Sequence, residues 1–267
     1  MRISIITGCY NRVASLEGAI QSVFAQNYPE IEYIIVDGAS KDGSVDLIKR
    51  YAELTETAEF KSTHPHFTFQ YISEPDHGMY EAINKGIKMS TGDIIGLCHS
   101  DDFLYANNTV SHIVERMTET NCDFLYADGV FVDPKDIKKT IRRWIGGKYS
   151  RWKVRHGWLP LHPTCYIKSE LMNKLGLYDE QYKIAADSDL LVRYLIRDDV
   201  RVEYLNEFVT RMRMGGMSTD AKKRKMMWKE DINVYKCHGF KYPKLKKIEK
   251  MMWKVPQFIM AKIKGES

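Results

Sequence analysis

The stretch IEYIIVDGASKDGS, residues 31–44, decides the fold. Residues 31–37 are mostly apolar and rich in β-branched side chains, which is typical of a buried strand. The residues that follow are mainly Asp, Gly and Ser, which favour turns, and a helix is predicted over 44–51. This order of strand, polar turn and helix indicates one unit of an α/β fold.

The same order recurs on both sides of this stretch. Further strands are predicted at 3–7, 67–73 and 93–97, and further helices after Ser15 and over 79–89. Four strands that alternate with three helices imply right-handed crossovers and a parallel sheet covered on both faces. The sequence therefore predicts an α/β fold with a mostly parallel central sheet flanked by helices. The first helix has apolar residues at the spacing of one face: Leu16, Ala19, Ile20, Val23 and Phe24.

The regular alternation of strands and helices ends at about residue 105. Helices are predicted at 109–119 and at about 187–197. Strands are predicted at 124–128, near 140 and at 164–167. No internal repeat or low-complexity linker interrupts this part, so we interpret it as a more irregular second half of the same domain.

Composition excludes several classes of protein. Of the 267 residues, 44% are hydrophobic and 28% are charged, which is typical of a globular chain with a large core. The 5 Cys include no C-x-x-C pair, so neither a disulfide framework nor a zinc ribbon is indicated, and a reducing cytosol is expected. No apolar run approaches the roughly 18 residues of a membrane span, and residues 1–12 become polar too early for a signal peptide.

The last part of the chain is strongly basic. The formal net charge is +5, yet residues 221–267 carry 14 Lys or Arg against 4 Asp or Glu. Pro256 interrupts an amphipathic pattern there, so two short helices are predicted. The basic segment 241–264 either lies on an anionic membrane surface or packs its apolar stripe on the body, and no nucleic-acid binding is expected. The stripe consists of Leu245, Ile248, Met252, Val255, Ile259 and Ile263.

Polar loops follow the four strands of the first half, at 7–12, 37–44, 74–86 and 99–102. Ordinary turn chemistry explains any one of them, because Gly, Asp, Asn and Ser dominate turns. Ligands of open parallel sheets bind at the carboxyl ends of the strands, however, and all four loops lie at that edge. A shared ligand is therefore the better interpretation.

Asp101 and Asp102 stand side by side in the last of these loops. Neighbouring carboxylates repel, and each raises the pKa of the other unless a cation lies between them. The pair therefore either caps a following helix or binds a metal, for which Mg²⁺ or Mn²⁺ is the best match. Neither a G-x-G-x-x-G nor a Walker motif is present, so a nucleoside diphosphate held through the metal is the ligand that fits.

Six stretches carry further motifs: ISIITGCYNR (3–12), IIVDGASKDGS (34–44), EPDHGMYEAINKGI (74–87), TGDIIGLCHSDD (91–102), HPTCYIKSELMNKLGLYDEQYKIAADSDLLVRYL (162–195) and RMRMGGMST (211–219). In order and spacing they resemble family 2 glycosyltransferases of the GT-A fold, and most closely bacterial enzymes that build surface polysaccharides. The resemblance implies a Rossmann-like nucleotide-sugar-binding half at 1–105, an acceptor half at 106–219 and a helical tail at 220–267.

The resemblance also implies a nucleotide pocket. Asp37 would hold the base or ribose, with helix capping as the alternative for Asp37 and, more strongly, for Asp42. Lys85 would act as a point charge on phosphate, although a Lys on a helix is commonly solvated. Residues 211–218 are interpreted as a lid over the diphosphate. The implied nucleotide-binding set is Thr7, Asn11, Arg12, Asp37, Asp76, Lys85, Arg213 and Ser218.

An acidic metal motif, Asp-x-Asp, follows the fourth strand in the family. In this chain His99 takes the first position, and Asp101 matches the second acid, which is the direct metal ligand, with Asp102 beside it. The metal would neutralise charge on the departing nucleoside diphosphate. Capping of a following helix stays the alternative.

The family supplies its catalytic base from a second acidic motif. Asp187 matches that base, with Asp189 as the second candidate, while Ala186 replaces a further acid of the motif. A base on the face opposite the leaving group implies a single displacement with inversion. Capping of the helix is again the alternative.

Three residues are candidates for the acceptor side. His162 matches a His that faces the site in related sequences, and Trp158 or Trp152 would stack on an acceptor sugar. The alternative for all three is a structural role in packing or hydrogen bonding.

The sequence thus predicts a metal-dependent, inverting glycosyltransferase. Its donor would be a nucleoside-diphosphate sugar, UDP being the commonest in the family, and its acceptor a hydroxyl of a glycan or lipid-linked sugar in surface polysaccharide or glycolipid synthesis. A cytoplasmic location with peripheral membrane contact is expected. The first alternative is an inactive relative that binds nucleotide or acts as a scaffold, and the second is a nucleotidyltransferase, although the Gly-rich N-terminal loop typical of that class is not found.

Overall fold

The computed structural model of the chain describes residues 1–215 and 221–263 and omits the side chains of 221–223, 259–260 and 262–263. Within these residues, nine strands form one sheet: β1 (Ile3–Cys9), β2 (Ile31–Asp37), β3 (Thr68–Ser73), β4 (Ile94–Leu97), β5 (Asp102–Leu104), β6 (Phe124–Val132), β7 (Thr140–Trp144), β8 (Cys165–Lys168) and β9 (Val202–Arg213). The helices of the body are α1 (Val13–Phe24), α2 (Ser44–Glu56), α3 (Ala58–Thr63), α4 (Met79–Met89), α5 (Thr109–Thr120), α6 (Arg151–Arg155), α7 (Ser169–Leu175) and α8 (Ala186–Leu195).

The sheet is mixed: its first four strands pair in parallel, and in the second half β6 and β9 also pair in parallel. Its order is β3-β2-β1-β4-β8-β6-β9-β5, with β7 beside β6. Strands β1 to β4 pair in parallel, as predicted, because long helical crossovers join them. The pairs β4/β8, β6/β8, β6/β7 and β5/β9 are antiparallel. The predicted α/β fold is confirmed, and the antiparallel pairs explain why the alternation loosens after residue 105.

Side chains of the first strands alternate between two cores, one on each face of the sheet. Ile3 and Ile5 of β1 lie in the same cluster as Leu16 of α1, whereas Ile6 lies with Ile83 of α4. All four strand residues Ile31, Tyr33, Ile34 and Ile35 are fully buried. A strand buried on both faces reads as a continuous apolar run, which is the pattern of IEYIIVD.

Asp42 accepts hydrogen bonds at the start of both α1 and α2. Its Oδ1 accepts hydrogen bonds from the backbone N–H (3.0 Å) and hydroxyl (2.6 Å) of Ser44, and its Oδ2 accepts from the N–H of Val13 at 3.0 Å. The capping alternative for Asp42 therefore agrees with the structure. Ser15 does not cap α1 as predicted, because α1 begins at Val13 with Arg12 at its N-cap.

The tail forms three helices: α9 (Ala221–Cys237), α10 (Pro243–Met252) and α11 (Val255–Ile263). The break at residues 253–254 agrees with the two helices predicted around Pro256. Val234 and Tyr235 of α9 are buried in the cluster that contains α8, so the tail shares the core of the body. The predicted division at residue 219 falls between the two described parts and stays a prediction.

Helix α10 turns a charged side chain toward the body and its apolar side chains toward solvent. Its buried residue is Lys247, while Leu245, Ile248 and Met252 of the predicted stripe have exposed fractions of 46%, 46% and 64%. The apolar stripe therefore does not pack on the body over this helix; the side chains of Ile259 and Ile263 lie outside the described residues. Among the described residues, no helix is long and apolar enough to cross a bilayer.

Candidate active site

The loops after β1, β2 and β3 meet at the predicted edge of the sheet. Oδ1 of Asn11 accepts the N–H of Lys41 at 2.9 Å, and the hydroxyl of Ser40 accepts the N–H of Asn11 at 2.7 Å. A Cβ atom on Gly38 would lie 2.6 Å from Oδ2 of Asp76, so only glycine allows this approach. Three of the four polar loops thus form one surface.

Asp37 lies at the end of β2, buried beneath this surface, and holds the loop that follows. Its carboxylate is fully buried and accepts the N–H and hydroxyl of Ser40 at 2.9 and 2.5 Å and the hydroxyl of Ser73 at 2.8 Å. A carboxylate offers about four acceptor positions, so these contacts leave little capacity for a nucleotide. In this structure Asp37 organises the turn and does not cap α2, whose N-cap residue is Gly43, and its predicted contact with a base or ribose stays a prediction.

Thr7 and Arg12 differ in exposure. The Thr7 side chain is fully buried, donates to the Cys98 carbonyl at 2.5 Å and contacts the Tyr33 hydroxyl at 3.0 Å. Thr7 therefore binds neighbouring strands inside the sheet and is not exposed for the predicted contact with the nucleotide. Arg12 is exposed at the start of α1, where its N–H donates to Ser44 Oγ at 3.0 Å, so its side chain is on the predicted surface.

Asp76 and Lys85 also have different placements. Asp76 is half-buried beside Gly38, and burial raises the pKa of its carboxyl. Lys85 lies 2.9 Å from Glu74 and 3.0 Å from Glu81, and these two carboxylates raise its pKa. Its charge is already paired twice, so the structure argues against the predicted role of Lys85 as a phosphate ligand.

The acid pair follows β4 and does not cap a helix. Asp102 begins the short strand β5, and the next helix, α5, begins only at Thr109. Asp101 is half-buried, whereas Asp102 has an exposed fraction of 2% and its Oδ2 has no hydrogen-bond partner among the described residues. Burial raises the pKa of Asp102 well above its usual value, and the charge of Asp101 raises it further. The capping alternative is thereby excluded for this pair.

Arg213 lies beside the acid pair. It is the last residue of β9, where Met212 pairs with Asp102, and its guanidinium group is 4.8 Å from the ring of Phe103. Its backbone amide and positive charge lower the pKa of Asp102, against the larger effect of burial. Residues 211–213 are therefore part of a strand and not of the predicted lid, and Ser218 lies outside the described residues.

His99 connects the two acidic motifs. Burial lowers its pKa, while the negative charges of Asp101 and Asp187 both act to raise it. Because the interaction between charges fades with distance, both carboxylates lie near this ring. The structure thus brings together residues from the two halves of the domain, 88 positions apart at His99 and Asp187.

His162 belongs to the same group of residues. Its ring centroid is 6.1 Å from that of His99, and its Nε2 is 2.7 Å from the hydroxyl of Tyr178. Burial lowers the pKa of His162 to about 4, so its imidazole is neutral near pH 7. The buried ring and its bond to Tyr178 agree with the structural alternative for His162, and its predicted role toward the acceptor stays a prediction.

Asp187 and Asp189 have unequal access. Asp187 is half-buried in the first turn of α8, where its Oδ1 accepts the N–H of Ser188 at 2.6 Å. Asp189 is buried, with Oδ1 2.8 Å from His238 and Oδ2 3.2 Å from Arg193. Both oxygens of Asp189 are paired within the protein, which argues against its predicted role as the second candidate for the base.

Comparison with known proteins identifies the family. Residues 4–170, more than half of the chain, match Glycosyl transferase family 2. The chain belongs to this family. It is 30% identical over 199 residues to an uncharacterised glycosyltransferase of Mycobacterium tuberculosis, covering 72% of this chain and 68% of that protein. It is 25% identical over 219 residues to a PGL/p-HBAD biosynthesis glycosyltransferase of Mycobacterium bovis, covering 80% of this chain and 78% of the relative.

Solved structures show the GT-A fold of this family 2 glycosyltransferase. TarS 1–349 of S. aureus in complex with UDP-GlcNAc has a TM-score of 0.66 at 16% identity, covering 98% of this chain and 79% of that chain. The chain spans 41% of a longer TarS chain. The mannosyltransferase PcManGT of Pyrobaculum calidifontis, in complex with GDP-Man and Mn²⁺, has a TM-score of 0.62 at 17% identity, covering 97% and 73%.

The acid pair of this family 2 glycosyltransferase fits a hard cation. In the described part of the chain, no group of three or more His, Cys, Asp or Glu is placed to enclose a metal. Mg²⁺ and Mn²⁺ need few protein ligands when phosphates and water complete the shell. The half-buried Asp101 carboxylate and the unpartnered Oδ2 of Asp102 are oxygen ligands of the required kind.

The two tryptophans proposed for the acceptor side of the transferase lie in opposite environments. Trp158 has an exposed fraction of 5% and packs edge-on against Tyr126, with ring centroids 5.4 Å apart. It belongs to the core, so its predicted stacking on an acceptor is not supported. Trp152 has an exposed fraction of 60% and stacks on His156 at 4.1 Å, which leaves it on the surface.

We expect Trp158→Ala to lower the free energy of unfolding by about 3–5 kcal/mol, because it removes a large buried side chain and leaves a cavity. Trp152→Ala is the matched control, and we expect a change within about 0.5 kcal/mol for this exposed residue. Urea denaturation followed by circular dichroism measures both. A loss for Trp158→Ala no larger than that of the control would contradict its place in the core.

Several residues around the site make contacts that no sequence pattern predicts. The hydroxyl of Tyr80 donates to the Ile184 carbonyl at 2.6 Å, and its ring stacks on Tyr178 with centroids 5.7 Å apart. Asn84 binds the backbone of Tyr178 through both its amide nitrogen (2.8 Å) and its oxygen (3.1 Å). These contacts tie α4 to the segment before α8, and no local pattern reveals them because their partners are about 100 residues away.

Proposed function

We propose that the protein is an inverting glycosyltransferase that moves a sugar from a nucleoside-diphosphate sugar to an acceptor hydroxyl. The observation that carries the proposal is the placement of His99, just after the strand β4: its ring centroid is 6.1 Å from that of His162 in the second half of the chain, and the charges of Asp101 and Asp187 both act on it. Asp101 follows the strand β4, at the edge proposed for the nucleotide, and Asp187 lies in the first turn of α8, in the half proposed for the acceptor. A carboxylate on the donor side and a second one on the acceptor side would serve the leaving group and the attacking hydroxyl of such a transfer.

Asp101 and Asp102 would hold Mg²⁺ or Mn²⁺ on the donor side. When bound, the cation would act as a Lewis acid and stabilise charge on the leaving diphosphate. Arg213 adds a positive charge beside the pair, suited to the same diphosphate. The complexes of related folds with UDP-GlcNAc and with GDP-Man and Mn²⁺ support this class of donor.

Asp187 would take the proton of the acceptor hydroxyl as that oxygen attacks the anomeric carbon. The new glycosidic bond forms as the bond from the anomeric carbon to the diphosphate oxygen breaks, and the nucleoside diphosphate leaves. His162, neutral and held by Tyr178, lies beside His99 and would help to position that ring. Attack from the face opposite the leaving group would invert the anomeric configuration.

An inactive, nucleotide-binding relative is the second candidate. It is favoured by His99 and Ala186, which stand where the family's motifs have acids. A binding protein would retain the nucleotide pocket without turnover, so the two candidates differ in the fate of the donor.

A screen of nucleotides and nucleotide sugars tests the proposal. We expect UDP or GDP to raise the melting temperature in the presence of Mn²⁺ and less in its absence. We also expect slow release of the nucleoside diphosphate from the matching nucleotide sugar, with water as acceptor. Stabilisation without any turnover of UDP-, GDP- or CMP-sugars would favour the inactive relative, and no stabilisation by any of them would refute both candidates.

We further propose that α10 and α11 attach the enzyme to an anionic membrane. The outer face of these helices exposes Leu245, Ile248, Met252, Val255 and Phe258. Lys241 and Lys244 are exposed at the start of the same surface. Exposed apolar side chains rimmed by lysines match the interior and the charged headgroups of such a bilayer. A lipid-linked acceptor would make this location useful. The predicted cytoplasmic location stays a prediction.

We expect the protein to sediment with vesicles that contain phosphatidylglycerol and much less with vesicles of phosphatidylcholine alone. Ile248→Ser combined with Met252→Ser removes apolar contacts from this surface and should reduce binding about tenfold or more. Leu54→Ser, an exposed apolar residue of α2, is the matched control and should bind like wild type. Equal sedimentation of the double variant and wild type would refute membrane attachment, as would concentration-dependent dimerisation that the double variant abolishes without any vesicle binding.

A further inference from the structure

The candidate base begins a helix that lacks a cap of its own. Helix α8 starts after Ala185, which has no side chain able to accept a hydrogen bond. Glu230 of α9 provides the acceptor, since its carboxylate binds the backbone N–H groups of Lys183 (3.0 Å), Ile184 (2.8 Å) and Ala185 (2.9 Å). An anionic acceptor at this end satisfies N–H groups that have no partner inside the helix and interacts favourably with the helix dipole.

A second contact from the tail reaches the neighbour of the base. Nζ of Lys250, in α10, donates to the hydroxyl of Ser188 at 2.6 Å. The N–H and hydroxyl of Ser188 in turn lie 2.6 and 3.3 Å from Oδ1 of Asp187. The same ammonium group lies 2.7 Å from Oδ1 of Asp231, a residue of α9 that is almost fully buried. A continuous chain of polar contacts therefore runs from α9 through α10 to Asp187.

Asp231 is one carboxylate that faces two lysines of α10. The carboxylate of Asp231 accepts hydrogen bonds from both Lys247 and Lys250, so one negative charge faces two positive ones. Burial disfavours the charge of Lys250, yet the carboxylates of Asp231 and Asp187 raise the pKa of its ammonium group. An uncompensated charge in such a position is costly. Asp187 contributes part of the negative charge that acts on Lys250, after Asp231, and its contact with this lysine runs through Ser188.

This pairing also explains why α10 buries a lysine and exposes its apolar side chains. Lys247 and Lys250 are three positions apart and therefore share one helix face. That face points toward Asp231, which places the apolar residues of the helix outward. The contacts that orient the base and the exposure of the proposed membrane surface thus have one origin.

We propose that Glu230 and Lys250 are positioning residues for the base, holding the first turn of α8 and the carboxylate of Asp187 in the geometry needed for proton removal. The inference rests on the proposed function of Asp187. It gives the C-terminal helices a part in the reaction although neither residue contacts a substrate.

Lys250→Met tests the proposal through its dependence on Asp187. We expect kcat for release of nucleoside diphosphate from the donor found in the screen to fall about 10- to 100-fold, with KM for the donor within about twofold of wild type, because small displacements of a catalytic group slow the reaction more than binding. In the Asp187→Asn background the same substitution should cost no more than about twofold, since residues that act as a unit are not additive. Equal losses in both backgrounds, or none in either, would overturn the proposal.

Two further variants separate positioning from folding. Lys250→Arg keeps the charge and should retain most of the turnover lost in Lys250→Met. Lys246→Met removes a lysine whose partner is Glu249 of the same helix, and it should behave like wild type. A loss in Lys246→Met as large as that in Lys250→Met would assign the effect to the helix as a whole and overturn the role of Lys250.

Hydrogen exchange gives a readout that needs no turnover. We expect Glu230→Gln to raise the exchange rate of the amides of Lys183, Ile184 and Ala185, while the amides of β1 and β2 stay protected as in wild type. If wild type releases no nucleoside diphosphate from any donor, the proposed function fails, and the exchange data still decide whether Glu230 holds the segment before α8. Unchanged exchange at these three amides would overturn the proposed contact.

Discussion

Asp187→Asn should abolish most of the sugar transfer while leaving nucleotide binding intact. A positioned general base contributes about 10²–10⁴-fold to such reactions, so kcat should fall by a factor in that range. The amide is nearly isosteric with the carboxylate and keeps an oxygen that can accept from Ser188, so the fold around α8 should persist. Release of nucleoside diphosphate from the donor measures kcat, and the melting shift with UDP or GDP and Mn²⁺ measures binding.

Asp189→Asn is the matched control for Asp187→Asn. The two residues lie two positions apart on α8, but both carboxylate oxygens of Asp189 are paired, with His238 and with Arg193. We therefore expect Asp189→Asn to lower the melting temperature and to retain most of kcat per folded molecule. Turnover that survives in Asp187→Asn and disappears in Asp189→Asn would reverse the assignment of the base.

The first half of the fold was predictable because its signals are local. The strands at 31–37 and the helix at 79–89 agree with the structure to the residue, since each follows from the period of its own apolar side chains. Strand β9 was missed because Val202–Arg213 combines exposed and half-buried positions and ends next to glycines, which resembles a loop. Strand β5 was missed because three residues carry no period.

The site was predictable in its location and less so in the use of each side chain. Lys85 has the position of a phosphate ligand, but its pairing with Glu74 depends on how the loop after β3 folds against α4. Trp158 appears in a polar stretch, yet its neighbour Tyr126 comes from a distant strand. The contact of Lys250 with the neighbour of Asp187 was also missed, because the local pattern around Lys250 predicts only an amphipathic helix. The buried Asp231 that binds Lys250 is 19 residues away, so no local pattern shows that this lysine points inward.

Asp101→Asn should remove the Mn²⁺-dependent part of nucleotide binding together with turnover. A metal that stabilises the leaving diphosphate contributes several kcal/mol, which corresponds to about 10³-fold or more in kcat. Because Asp101 is half-buried and its role is that of a ligand, the variant should fold normally and bind nucleotide alone as weakly as wild type does without Mn²⁺. Calorimetric titration of UDP or GDP with and without Mn²⁺ separates these contributions.

Two controls decide between a ligand and a general charge effect. Asp136→Asn, in the exposed turn after β6, removes a carboxylate away from the acid pair and should match wild type in both titrations. Asp102→Asn replaces the buried neighbour, whose backbone joins β5 to β9. It should reduce the Mn²⁺ effect, because the site loses a carboxylate oxygen that has no other partner among the described residues. If Asp101→Asn binds nucleotide with an undiminished Mn²⁺ effect, the cation is held elsewhere. That result would refute the metal site proposed at the end of β4. The role of Asp187 as the base is tested separately, by Asp187→Asn.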